Sequence, residues 1–442
     1  MAPSCRWLTL ILFIAPFSIS NVSAFGLMQA YEAALQNDPT YRAAIHENEA
    51  GQQFKVIGRS SLLPVLSGSY STNYVDGDIT RSSITEHLNY RNESAVLQLR
   101  QPVVNLEASA RYKQGLAQTS MSDAQFLMRN QDLIVRLAGA YMEARYAEDQ
   151  LALASSQLNS FTEQRLTNDL LFEKGEGTRT EMLETQARLD LAEAQVIEAR
   201  DNLTHARNML AALVGDDITQ LSPLMDDFRV KPMQPAGFEE WKVIALEHNA
   251  EIVLQRHTVE VARQEINKQR AGHAPRVELV ASVNKAKSDN IIFFGLDTFT
   301  RSVGVQVNVP LYSGGSVNAL TSQAVSNLEK AKAELETMTN QVLIELRKEF
   351  NLNLSSSRRI DALANSVSSG MFLLEATQKS VKGGTRTNID ILNAQRQLFE
   401  AKLELTQARY NYLLSYLRLR KAAGVIETND LQDVSRYFAA RQ

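Results

Sequence analysis

Few residues in this 442-residue chain have the types and spacing that chemistry requires. The six histidines are scattered, and His248 and His257, nine positions apart, fall on opposite sides of a helix and cannot share a metal ion. The only cysteine, Cys5, lies in the N-terminal apolar segment, which leaves no thiol nucleophile, disulfide or thiolate metal site after it. Gly314-Gly315 lacks the Lys and Ser/Thr that complete a phosphate-binding loop. No Ser/His/Asp arrangement stands out, so no catalytic, cofactor-binding or metal-ligating residue is expected and the chain does not read as an enzyme. What does recur is a charged tetrapeptide, Gly177-Thr178-Arg179-Thr180 and again Gly384-Thr385-Arg386-Thr387. Glycine accepts the positive φ that stops a helix, and threonine accepts hydrogen bonds from the free N–H groups that start the next one. Thr178 stands three residues before Glu181, the spacing of a capping box. Each copy therefore reads as the tip of a helical hairpin, equally built in both. An arginine beside a helix N-terminus opposes the helix dipole, so Arg386 is expected to seek a carboxylate.

The elements around the tips repeat with them. Residues 106–174 contain no helix breaker except Gly115 and Gly139 and span, as helix, about 100 Å. Residues 180–214 complete the first hairpin, and Gly215-Asp216-Asp217 ends it. Residues 317–382 and 387–423 repeat the arrangement, with Gly424 in the place of Gly215. Helices this long without caps indicate a coiled coil or bundle. Upstream, 26–60 reads as helix interrupted at Asn37-Asp38-Pro39, and 239–272 reads as its uninterrupted counterpart. Glu49, Gln53, Arg59 and Pro64 recur as Glu260, Gln264, Arg270 and Pro275, always 211 positions on. Strands are expected at 65–75, 94–104, 276–285 and 302–311, each apolar on one face and small or polar on the other. A polar loop is expected at 76–92, and a loop containing Ile291-Ile292-Phe293-Phe294 at 288–300. The chain thus divides into a first repeat, 25–215, a connector, 216–237, with Pro223, Pro232 and Pro235, a second repeat, 238–424, and a C-terminal tail, 425–442.

Composition, 44% hydrophobic and 22% charged, indicates ordered protein, and a net charge of −4 argues against a nucleic-acid partner. Arg6, the apolar stretch 7–17 and Val22-Ser23-Ala24 read as a cleaved secretory signal, 1–24, with an uncleaved anchor helix as the alternative. No later stretch has the run of apolar residues that a membrane helix needs, so an exported chain of this kind spans a membrane, if at all, as β-strands. Strands of about ten residues with alternating faces suit a tilted outer-membrane strand. Four strands cannot close a barrel, and an open edge cannot sit in lipid, so copies must combine. Two copies give eight strands around an interior filled by side chains, and three give twelve around a passage. The hairpins bury their apolar stripes only when packed side by side in a ring. The expected architecture is a mixed α/β membrane protein, a trimeric 12-stranded β-barrel continuing into a 12-helix α-barrel.

On these residues the chain resembles the TolC family of outer-membrane channel proteins over essentially all of its length after the signal. The carriers are Asn37-Asp38-Pro39, Leu62-Leu63-Pro64, Pro310-Leu311-Tyr312-Ser313-Gly314-Gly315, Gly384-Thr385-Arg386-Thr387-Asn388-Ile389-Asp390-Ile391-Leu392-Asn393-Ala394 and Ala408-Arg409-Tyr410-Asn411-Tyr412-Leu413. The resemblance implies a homotrimer with a β-barrel in outer-membrane lipid and a helical tunnel in the periplasm. It also implies docking on a periplasmic membrane-fusion adaptor and an inner-membrane ABC transporter or proton-driven pump. Phe25-Gly26-Leu27-Met28 and Glu173-Lys174-Gly175-Glu176-Gly177-Thr178 most resemble the branch serving type I secretion of proteases and lipases. The expected function is a passive exit duct for an exported polypeptide, with multidrug efflux as the alternative. A periplasmic adaptor fits less well, having one hairpin and no duplicated strands. The resemblance also matches Arg386 to the gating arginine, Thr180 and Glu181 to the Thr–Asp pair of the first hairpin, and Asp390 to one entrance aspartate. The second entrance aspartate falls at Asn393 and the gate tyrosine at Val381, which halves the ring charge and removes one latch hydrogen bond.

Overall fold

The computed structural model describes residues 25–438, apart from positions 219, 226 and 289–295. The segment read as a signal, 1–24, and positions 291–294 of the second loop lie outside the described residues. Helices α1 (Leu27–Asn37), α2 (Pro39–Gly51) and α3 (Gln53–Ser60) lead into strands β1 (Val65–Arg81) and β2 (Ile84–Val104). A long hairpin follows, α4 (Leu106–Glu173) and α5 (Arg179–Val214). The order then recurs as α6 (Phe238–His248), α7 (Ala250–Arg270), β3 (Arg276–Ser288), β4 (Leu296–Asn308), α8 (Ser316–Lys382) and α9 (Asn388–Ala422). Among the described residues, no helix is long and apolar enough to cross a membrane.

Three expectations are corrected here. The helix expected over 239–272 is broken at Asn249, which adopts an extended conformation and accepts the N–H groups of Glu251 and Ile252 at 3.0 and 3.1 Å. Asp38 makes the same break in the first repeat, accepting the Thr40 N–H at 3.1 Å, and there Pro39 announces it. Asn249 precedes an alanine, so only its capping ability marked the break. The region expected as a polar loop, 76–92, is instead a continuation of β1 and β2 that turns at Ser82 and Ser83, both at positive φ. The loop expected over 288–300 gives way to strand at Leu296, where β4 begins. The C-terminal tail contains α10 (Thr428–Ser435), with Leu431 and Val434 buried.

The sheet order is β1-β2-β3-β4, antiparallel throughout. Its register lays Leu66, Leu99, Ala281 and Val303 side by side in one row, and Ser67, Gln98, Ser282 and Ser302 in the next. Side chains alternate between faces along a strand, so one face of the sheet is apolar and the other small and polar. Ser282 and Ser302 share a 2.8 Å hydrogen bond on the polar face. Among the described residues, both outer edges, β1 and β4, are unpaired within the chain.

The hairpins pair through heptad seams. The buried residues of α5 run Thr185, Leu189, Ala192, Val196, Ala199, Leu203, Ala206 and Leu210, alternate steps of four and three. That spacing keeps one stripe against a partner helix, and its alanines let the helices approach closely. Gly115 of α4 serves the approach of α3, since a Cβ there would lie 2.5 Å from the Phe54 carbonyl oxygen. The main core sits where α1, α4, α5, α9 and α10 meet, around Leu133, Leu137, Tyr141, Leu210, Leu413 and Leu417. The Tyr141 hydroxyl donates to the Phe25 carbonyl at 2.9 Å and ties the start of the described chain into that core.

Candidate functional site

The hairpin tips are five-residue loops, 174–178 and 383–387, and they stand 209 residues apart rather than the 207 that separates the two tetrapeptides. The helix-stopping residues at positive φ are Gly175 (77°) and Gly384 (73°). Gly177 stands two residues further on, where a Cβ would lie 3.0 Å from the Phe172 nitrogen. The N-caps are Thr178 and Thr387, the second residue of one tetrapeptide and the last of the other. Arg179 and Thr180 are thus the first two residues of α5, whereas Thr385 and Arg386 belong to the loop before α9. The tips share a backbone design but not the placement of their repeated residues.

The two carboxylates are held by their own caps. Glu181 Oε2 accepts the Thr178 N–H at 3.0 Å and its hydroxyl at 2.9 Å. Asp390 Oδ2 accepts the Thr387 N–H at 3.0 Å and its hydroxyl at 3.1 Å. The Thr387 N–H, then its hydroxyl and the nearby Arg386 charge, hold the Asp390 carboxyl below its ordinary range. Arg386 turns back along its own hairpin and donates to the Thr377 hydroxyl at 3.4 Å. Within one chain, therefore, Arg386 meets neither Glu181 nor Thr180, and each tip presents a carboxylate already engaged at a helix start.

A second set of contacts, which the sequence reading did not single out, joins the two hairpins just behind the tips. Asn168 of α4 is 3% exposed. Its amide donates to the Thr185 hydroxyl at 2.7 Å, and its oxygen accepts from Gln164 at 3.1 Å and from Asn388 of α9 at 3.0 Å. Arg188 of α5 donates to the Asn393 oxygen at 3.1 Å. Phe161, Leu189, Ala192 and Leu392 form a small apolar cluster beside them. The signal was present: Ala154, Phe161 and Asn168 are buried and seven residues apart, so Asn168 is a polar residue at a seam position.

A four-stranded sheet at one end of two helical hairpins, the longer arms about 100 Å, defines an outer-membrane channel protein built from a β-domain and a helical tunnel. The chain belongs to the family described as Outer membrane efflux protein, which it matches over residues 30–216 and 241–425. It is 42% identical to the alkaline protease secretion protein AprF of Pseudomonas aeruginosa, over 94% of this chain and 88% of the relative. It is 37% identical to the proteases secretion protein PrtF of Dickeya chrysanthemi, over 98% of this chain and 95% of the relative. The solved outer-membrane channel OprN shares the fold, with a TM-score of 0.79 at 19% identity over 90% of each chain.

Proposed function

We propose that three copies of this chain form a passive duct across the outer membrane and periplasm, through which a type I, ABC transporter-driven system exports a polypeptide such as a protease. The observation that carries the duct is the four-stranded sheet with both edges free at the head of two long hairpins. Such a sheet is stable in lipid only when further copies close it. Full-length similarity to two protease secretion proteins supports the cargo class. No site for a reaction is proposed, so energy comes from an inner-membrane partner coupled through a periplasmic adaptor. In the resting trimer, Arg386 pairs with Glu181 or Thr180 of a neighbouring hairpin, and Asp390 adds negative charge to the periplasmic mouth.

Electron microscopy of detergent-extracted protein should show a hollow, three-fold particle with a long helical stem. Expression in a strain lacking its own outer-membrane secretion component should restore release of an exported protease. A second reading, the outer-membrane factor of a drug efflux pump, is favoured by the family description. Restored drug resistance without restored protease release would select it.

A further inference from the structure

We propose that the groove between α4 and α7, on the outer surface of the duct directly beneath the β-domain, binds the phosphate-bearing headgroup of an anionic phospholipid in the leaflet next to the periplasm. The proposal rests on the duct reading and adds a ligand to it. The groove is a cavity of about 410 Å³ lined by Leu106, Ser109 and Lys113 of α4, by Asn267 and Arg270 of α7 and by Ala274 just beyond it. Two cations thus share one pocket with two uncharged polar side chains. Among the described residues, neither Lys113 nor Arg270 makes an ion pair or a side-chain hydrogen bond. The carboxylates nearest to them in sequence are committed elsewhere: Glu107 to Arg111 and Arg276, and Glu265 to Lys268. An arginine fork and a lysine ammonium with no carboxylate between them match a phosphate diester.

The sheet shows on which side of the wall the groove opens. Arg276 pairs with Asn308 on the small, polar face and donates to Glu107 at 2.6 Å. Further along, Gln114 donates to Glu265 at 2.8 Å. With the apolar face of the sheet toward lipid, these contacts mark the inner surface of the wall. At about 100° per residue, Arg270 is turned about 140° from Glu265 and Asn267 about 160°, so both lie on the outer side of α7. The helices follow the order of their strands, α3 against α4, α4 against α7 and α7 against α8. Neighbouring copies therefore meet at α3 and α8, and the groove stays open in the trimer. Its depth suits a headgroup. Lys113 stands about 10 Å beyond the start of α4, with its side chain leaning back toward the sheet, and Arg270 closes α7 on the sheet side. The headgroup zone reaches about 5–8 Å beyond the hydrocarbon on each side. Val103 and Leu106, 63% and 58% exposed, carry apolar surface from the sheet down to the groove for the acyl chains.

Native mass spectrometry of detergent-purified trimers, given phosphatidylglycerol or phosphatidylcholine with the same acyl chains, tests the site. Wild-type trimers should keep phosphatidylglycerol under activation that strips phosphatidylcholine. Lys113→Gln/Arg270→Gln should lower that retention about tenfold or more. Lys113→Arg, which keeps the charge, should preserve it, and so should Lys382→Gln, which removes a cation at the far end of the hairpin. Millimolar inorganic phosphate should leave the lipid in place. Equal retention of the two lipids by wild type, unchanged retention in the double variant, or displacement by inorganic phosphate would each overturn the site. The comparison of the two lipids on wild type decides the matter even where a variant fails to assemble. The same spectra count the chains: trimers without lipid selectivity would remove the site alone, whereas absence of any trimer would remove the duct reading on which it rests.

Discussion

At the residue scale, the tip arginine and one buried carboxyl lead to distinct expectations. Arg386 hydrogen-bonds Thr377 and lends its charge to Asp390 of the same chain, although it stands just before a helix N-terminus where a cation is disfavoured. In the proposed trimer a neighbour's carboxylate would add to this, and an exposed pair of this kind contributes no more than about 1 kcal/mol. Arg386→Ser should raise conductance moderately and sensitise cells to large antibiotics with the trimer intact. Unchanged conductance in both Arg386→Ser and Glu181→Ala would leave Arg386 as a solvated tip charge. Glu349 presents the opposite case. It is 1% exposed on α8, and among the described residues neither carboxylate oxygen is hydrogen-bonded, the Lys348 ammonium standing 3.6 Å from Oε1. Burial first, then the adjacent Glu345, raises its pKa, against the smaller pull of Arg418 and Lys348. A raised carboxyl imposes no penalty below its unfolded pKa of about 4.3, and the penalty grows as pH rises through that value toward the folded one. The first repeat has Ala140 at the corresponding position, 209 residues earlier, so the helix pairing does not depend on a carboxylate. Glu349→Leu should stabilise the protein at pH 8 by on the order of 1–3 kcal/mol, with the gain fading toward pH 4, as read by thermal unfolding. A gain independent of pH would assign the effect to packing alone. The capping of Thr178 by Glu181 was legible from spacing. Asn168 was not, because one asparagine in a polar helix looks solvated until the seam is phased.

At the element scale, the sequence shows elements where period and composition agree and hides them where they part. The four membrane-length strands were legible because their apolar residues alternate, and the register gathers those residues onto one face. The extension of β1 and β2 beyond them was missed because Asp76, Gly77, Asp78, Asn89 and Glu86 are poor strand formers. Cross-strand side-chain bonds hold it instead: Thr80 with Thr85 at 2.8 Å, His87 with Asp78 at 2.7 Å, and Tyr74 with Asn89. The repeated tetrapeptide misled in a different way. Its identity sets a register of 207, but the positive-φ glycines and the N-cap threonines set 209, and backbone geometry decides which residues correspond. The strand faces give a direct test. Val303, Val305 and Val307 lie on the face that carries Leu66, Leu99 and Leu279, and they are largely exposed in a single chain. With that face toward lipid, Val305→Arg should cost about 2–4 kcal/mol near the midplane, and Gln306→Arg much less. Trimer yield after heating in detergent would report the difference, and equal losses at the two positions would reverse the faces.

At the scale of the whole molecule, the sheet and the hairpin tips lie at opposite ends, and this polarity fixes which end faces the cell exterior. The helices enter and leave the sheet at the Pro64, Val104, Arg276 and Asn308 side. The four-stranded part ends on the other side at the Asn92–Ser288 pair. Beyond it, among the described residues, β1 and β2 continue alone through eight pairs, from Tyr74–Arg91 to Arg81–Ile84, a two-stranded ribbon about 27 Å long. One face of the ribbon is polar, carrying Asp76, Asp78, Thr80, Thr85, His87 and Asn89, as suits a segment in water rather than lipid. The hairpins extend the other way, and their length matches a crossing of the periplasm rather than a projection into the medium. The ribbon turn at Ser82-Ser83 should therefore be the part of the chain farthest from the cell. An epitope inserted there should be labelled by antibody on intact cells, and added protease should cut the ribbon while sparing the helices. An epitope in the 174–178 tip should be labelled only after the outer membrane is permeabilised. The reverse pattern, with the tip reachable on intact cells and the ribbon protected, would invert the molecule in the membrane.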